Sequence, residues 1–246
     1  MAEMTYETDQ AVDWNIFPRR RWGTALKALK RLLTDNEDTG SVFEIMSALN
    51  GDATARNYRR LLQSSQGGRL AYQRVELAER LMDDAWLDSF PDGSVGAAYR
   101  TFVRSENLSA EGLAIISRKA QPRLEAPHPY VWFGRRNRDI HDIWHILSGY
   151  HRDGLGEACL VAFSYAQLRS LGWAVIAIGS ALSPRGGSVR AHVRAIWQGF
   201  QLGRTAQWLP GEDYEALMGE SLDGARHRLR IGRPTAYIAA LGGAAR

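Results

Sequence analysis

The sequence predicts an all-α fold, a single-domain multi-helix bundle over residues 1–246 with a metal site between two of its helices. Two observations carry the fold class. Apolar residues recur at intervals of three and four in segment after segment, which is the period of one helix face. No two segments alternate apolar and polar residues around a tight turn, so no strand pair is expected. The absence of a repeat or a low-complexity linker favours one domain over two.

The elements follow in order. Arg19 to Leu33 places Trp22, Leu26, Leu29, Leu32 and Leu33 on one face and Arg19, Arg20, Lys27 and Lys30 on the other, after Pro18, which suits a first helical turn. Such a basic amphipathic face is either a solvated surface or a seat on anionic lipid headgroups. A second helix covers about Ser41 to Leu49 and stops at Asn50-Gly51. Thr54 is read as the cap of a third, with Tyr58, Leu61 and Leu62 inward. A longer helix follows Gly67-Gly68, with Leu70, Val75, Leu77 and Leu81 at helical intervals. Ser94 starts one bearing Val95, Tyr99, Phe102 and Val103, and Ser109, with Glu111 in its first turn, starts the next.

Pro122, Pro127 and Pro129 cannot sit inside a helix, so about Lys119 to Gly134 is expected as an extended loop. Its Tyr130, Trp132 and Phe133 either cover the site or anchor the loop. Helices resume over about Arg135 to Tyr150 and Glu157 to Leu171, then the small and apolar stretch Trp173 to Leu182, then Ser188 to Gln207 with Val193, Ile196, Trp197 and Phe200 apolar. Pro210 begins a short helix, and Ser221 the last, with Leu222, Leu229 and Ile231 inward.

Composition narrows the class. The 246 residues are 45% hydrophobic and 24% charged, as in folded globular chains. Met1 to Gln10 is polar and acidic and resembles neither a secretory signal nor a transit peptide. The most apolar stretch, Ser170 to Pro184, is shorter than the roughly 20 residues a membrane span requires. Cys159 is the one cysteine and reads as an inert core thiol. The formal net charge of +4 is mild, and no nucleic-acid motif accompanies the basic segments, so nucleic acid is not expected as a partner.

The chemistry sits in one stretch, Arg138 to Gly149, followed by Glu157. It reads His-Asp-x-x-His, eleven residues, Glu. His141 and His145 are four apart, so on a helix they point at the same place. Asp142 lies about 100° round from His141 and is either a further ligand or a group that orients an imidazole. Gly149, Gly154 and Gly156 favour a turn that brings Glu157 back against the pair at the opening of a second helix. Two His and one or two carboxylates suit zinc or iron. Ile140, Ile143, Trp144, Ile146 and Leu147 surround the pair, and burying imidazoles there without a partner would be costly. His151 is read as a surface turn residue, and His128, His192 and His227 lack ligand spacing. The glycines at 149, 154 and 156 follow a helix and lack a Lys-Ser/Thr ending, which excludes a nucleotide loop.

This signature resembles that of the Coq-four family of ubiquinone (coenzyme Q) biosynthesis proteins. The resemblance runs along most of the chain, through Asp38-Thr39 with Val42 to Ile45, Gly96 to Phe102, and Leu222, Arg226 and Leu229 to Ile231. After Glu157 the run Ala158 to Gln167 departs from the mitochondrial pattern, which places the chain in a divergent, bacterial-type branch. The resemblance implies removal, oxidatively, of the ring carboxylate from 4-hydroxy-3-methoxy-5-polyprenylbenzoate. Carried onto this sequence, it implies a divalent metal, zinc before iron, on His141, Asp142, His145 and Glu157, with Asp142 and Glu157 as the catalytic carboxylates. It further implies a polyprenylated ring as substrate, other ubiquinone-biosynthesis proteins as partners, compatibility with a homodimer, and a peripheral place on an anionic membrane, the inner face of a bacterial cytoplasmic membrane. The alternative is a non-catalytic prenyl-lipid scaffold with a structural metal.

Overall fold

The computed structural model describes residues 19–35, 38–105, 128–182 and 188–244. Every regular element among them is helical, and the one β-type contact is an isolated antiparallel bridge between Ser94 and Ser221. The helices are α1 (Trp22–Thr34), α2 (Thr39–Leu49), α3 (Ala53–Leu61), α4 (Ser65–Gln73), α5 (Leu77–Leu81), α6 (Asp84–Asp88), α7 (Val95–Ser105), α8 (Pro129–Asp139), α9 (His141–Ser148), α10 (Gly154–Leu168), α11 (Leu171–Leu182), α12 (Val189–Thr205), α13 (Tyr214–Leu217), α14 (Leu222–Arg228) and α15 (Thr235–Ala244). A 3-10 turn, Leu209–Gly211, joins α12 to α13.

α10 is the axis of the bundle. It is apolar on every side, and twelve of its fifteen residues are buried, as expected of a helix packed all round. α12 crosses it closely. A Cβ at Gly199 would come within 2.4 Å of the Cys159 carbonyl oxygen, and one at Gly203 within 2.5 Å of that of Phe163. Only glycine permits that approach. Gln167 locks the same region, donating to the Gly203 and Gln207 carbonyls and accepting from the Leu209 amide. A separate small cluster gathers Tyr58, Leu61, Leu70, Ala71, Trp132 and Phe133.

Several sequence expectations shift. The expected long helix through Leu70 and Leu81 is two helices: α4 ends at Gln73, and Arg74 takes a left-handed conformation at φ 47°. Gly67 lies inside α4, not before it. Ser64 caps that helix, and the absent Cβ lets Gly67 abut the Leu61 carbonyl. α3 is preceded by Asp52, and Thr54 lies within its first turn. The loop expected to reach Gly134 is helical from Pro129, because His128 accepts from the Tyr130 amide and proline fits a first helical position. Trp132 and Phe133 are buried in the small cluster and anchor this segment, so the reading of them as a cover for the site is withdrawn. A fifteenth helix, α15, follows the one expected to be last, with Pro234 just before it. Pro18, the Ser109 helix and the loop up to 127 lie outside the described residues.

Candidate metal centre

The expected helix over 135–150 is broken at Ile140. α8 ends there and α9 begins at His141, so His141 is a first-turn residue. Gly149 closes α9 at φ 76°, a conformation that glycine adopts without strain. The chain then reverses, and Asp153 caps α10 by accepting from the Leu155 and Gly156 amides. Glu157 is therefore the fourth residue of α10, not its opening one, and lies in its first turn, where the helix dipole favours a carboxylate.

The turn brings the predicted residues together. One ligand atom each from His141, His145 and Glu157 lies within 4.8 Å of the other two. His145 Nε2 stands 3.3 Å from Glu157 Oε1, and the two imidazoles are 5.1 Å apart at 81°. Asp142 is outside this group. It is buried, with Oδ1 3.9 Å from His141 Nδ1, at the flank of that ring.

The His145 ring is oriented from behind. Its Nδ1 lies 3.0 Å from the Tyr150 carbonyl oxygen, which fixes the proton on Nδ1 and leaves the Nε2 lone pair facing the cluster. Nε2 is buried, and the group nearest it across the cluster is Glu157 Oε1 at 3.3 Å. A buried imidazole nitrogen with a free lone pair, aimed at a second imidazole and a carboxylate, fits a cation. The mixed nitrogen and oxygen donors fit zinc or iron.

Two aromatic side chains complete the walls. Trp173 of α11 stacks on His141 at 5.8 Å and 8°, and Phe102 of α7 stacks on His145 at 5.7 Å and 24°. Sequence reasoning assigned Trp173 to the apolar helix and Phe102 to a helix face. Neither carries a spacing signal relative to the His pair. The cluster is closed on one side and open on the other: the His145 side chain is 1% exposed, that of His141 23% and that of Glu157 36%.

The charges are coupled. Burial pushes the His145 imidazole down, but the adjoining Glu157 carboxylate outweighs it and holds the imidazole above its ordinary value. Burial likewise works against the Glu157 carboxylate, yet His145, His141 and Arg152 hold it below the usual range. Burial, with Asp142 and Asp139 facing it, raises the Tyr99 phenol. His151 is exposed in the turn, as expected, and Cys159 is buried with its thiol pushed up by burial. A cleft of about 340 Å³ lies elsewhere, beside Arg69, Trp132, Arg136 and Glu215, and none of the three converging groups lines it.

The chain and its fold are similar to known proteins. The family model described as "Coenzyme Q (ubiquinone) biosynthesis protein Coq4" matches residues 15–235. The Danio rerio "Ubiquinone biosynthesis protein COQ4 homolog, mitochondrial" is 24% identical over 224 residues, covering 89% of this chain and 77% of that one. The Homo sapiens protein of the same name is 25% identical over 205 residues, covering 80% and 74%. A crystal structure from Nostoc punctiforme, of a protein named for ubiquinone biosynthesis, superposes with a TM-score of 0.61 at 20% identity over 87% of this chain and 99% of that one, a likeness of fold.

Proposed function

The chain belongs to the Coq4 family of coenzyme Q (ubiquinone) biosynthesis proteins, and on that premise we propose that it removes the ring carboxylate of a 4-hydroxy-3-methoxy-5-polyprenylbenzoate at a metal held by His141, His145 and Glu157. The observation that supports this most directly is the orphaned, buried Nε2 of His145 facing His141 and Glu157. A divalent cation there, zinc with iron as the alternative, would supply a Lewis acid for the carboxylate or phenolate of the ring. Zinc has no second redox state, so replacement of the carboxylate by hydroxyl in a zinc form requires a separate oxidant.

The rest falls to the chain. Tyr150 orients His145 through its carbonyl, and Trp173 and Phe102 hold the two rings in place and exclude water from one side. Glu157 supplies the anionic donor at the open side. Asp142, with Oδ1 3.9 Å from His141 Nδ1, is read as the carboxylate that flanks and positions that ring. Three converging donors favour catalysis over the scaffold alternative, since a structural zinc takes four protein ligands whereas a catalytic one keeps a position open. The same reading makes quinone precursors and other proteins of the pathway its partners.

The test uses the substrate labelled with carbon-13 at the carboxylate. Wild-type protein loaded with zinc or iron, and supplied with oxygen, is expected to release labelled carbon dioxide, and Glu157→Gln to release none while keeping its circular dichroism spectrum. Equal release from both proteins, or none from wild type with either metal, would contradict the proposal.

A further inference from the structure

α15, the last described helix, reaches back to the turn between the two ligand-bearing helices. Its start is fixed on α12. The Ala236 amide donates to Gln198 Oε1 at 2.7 Å, and Gln198 Nε2 donates to Thr235 Oγ1 at 2.8 Å. The helix then rests on α10 as well as α12. This placement turns Tyr237 inward, where it is 1% exposed.

Tyr237 meets the turn at three residues. Its ring stands edge-on to that of Tyr150, with centroids 5.4 Å apart at 73°. Its hydroxyl donates to Asp153 Oδ2 and accepts from the His151 amide at 3.3 Å. Both the donor and an acceptor position of the phenol are thus in use. Tyr150 has no such hold of its own. Its hydroxyl is buried without a hydrogen-bond partner among the described residues, so packing alone places its ring.

The same turn sets two of the three converging donors. The Tyr150 carbonyl holds His145 Nδ1 at 3.0 Å. Asp153 Oδ1 accepts from the Leu155 and Gly156 amides, both at 3.1 Å, and so starts the helix that carries Glu157. Asp153 divides its oxygens, one to α10 and one to Tyr237. The turn also lies close against α10: a Cβ at Gly156 would fall 2.0 Å from the His151 carbonyl oxygen. A shift of the turn therefore moves His145 and Glu157 relative to each other. From this we infer that Tyr237 is a positioning residue for the metal centre, holding the 149–153 turn from α15 so that His145 and Glu157 converge. The inference rests on the reading of His141, His145 and Glu157 as metal ligands.

The competing account is that Tyr237 only stabilises the fold. Tyr237→Phe separates the two, because it keeps the ring against Tyr150 and removes the hydroxyl alone. Zinc affinity, measured by competition with a chelator, should fall about 10–100-fold, as when other groups that orient a metal's ligands are removed. The visible spectrum of the cobalt(II)-loaded protein, which follows coordination geometry, should change with it. In the metal-free protein, hydrogen exchange at the His151 amide should be faster than in wild type, since its acceptor is gone. Glu215→Gln is the control for stability. It breaks the buried ion pair with Arg136 on other elements, and should lower the melting temperature while keeping the zinc affinity and cobalt spectrum of wild type.

The inference is overturned if Tyr237→Phe binds zinc as tightly as wild type with the same cobalt spectrum. It is also overturned if Glu215→Gln loses as much affinity, because the loss then follows stability. Either result leaves the metal centre standing. Wild type that binds neither zinc nor cobalt would instead overturn the metal reading itself, and this inference with it.

Discussion

His145 is the residue on which the proposed chemistry turns. Both its nitrogens are committed, Nδ1 to the Tyr150 carbonyl and Nε2 to the cluster. Its raised pKa has two consequences. Metal must displace a proton from it, so metal content at fixed total metal should fall as pH drops, starting above the roughly 6.5 of an ordinary histidine. Dialysis against a pH series with elemental analysis measures this. For the metal-free protein the signs are these. The raised imidazole adds stability that is complete below about 6.5 and lost as pH rises through its folded value. The lowered Glu157 carboxylate adds stability present above its unfolded value of about 4.5 and lost as pH falls through its folded value. Metal-free protein should therefore melt highest at mildly acid pH, between those two values, and Glu157→Gln should flatten that maximum. The His-x-x-x-His spacing and the downstream Glu were legible in the sequence because i, i+4 geometry is local. That His141, His145 and Glu157 converge with Asp142 at the flank, and that Trp173 and Phe102 wall them, was not, because it depends on where other helices cross.

At the scale of elements, the helices rich in caps and periodic leucines were readable, and their ends were less so. The split between α4 and α5 went unseen because Leu70 and Leu77 are seven apart, a spacing that suits one helix as well as two. Pro129 looked like a loop residue and is the start of α8, since proline breaks a helix interior but not its first turn. The close crossing of α10 and α12 makes a sharp prediction. Gly199→Val forces a side chain into the Cys159 carbonyl and should cost about 1–3 kcal/mol or more by overpacking, read as a lower melting temperature. Gly68→Ala, whose Cβ meets nothing within 4 Å, should be neutral or slightly stabilising. Arg136 gives a second case. It is 2% exposed and held by both oxygens of Glu215 at 3.0 and 2.9 Å. Glu215→Gln leaves that guanidinium buried without a counter-charge and should destabilise by about 3–5 kcal/mol in chemical denaturation.

At the scale of the whole molecule, the converging His141, His145 and Glu157 sit where α9 and the first turn of α10 meet, with α11 against them through Trp173. The all-α class was legible from periodicity alone, because every helix buries a face against another helix. The exposed part of the α1 stripe was only partly legible: Leu32 turns inward while Trp22 and Leu26 stay exposed. A helix read by itself shows its full apolar stripe, and only packing reveals which part of that stripe the core has taken. No helix among the described residues is long and apolar enough to cross a membrane.

The central claim is that the His141, His145 and Glu157 cluster carries out the decarboxylation. Mass spectrometry of quinone precursors tests it most directly, in a strain lacking the gene and complemented with wild type or with His141→Ala/His145→Ala. Wild type should restore ubiquinone. The double variant, present at equal level and folded, should leave ubiquinone absent and the polyprenylated 4-hydroxy-3-methoxybenzoate accumulated with its carboxylate intact. Normal ubiquinone from the double variant would contradict the account.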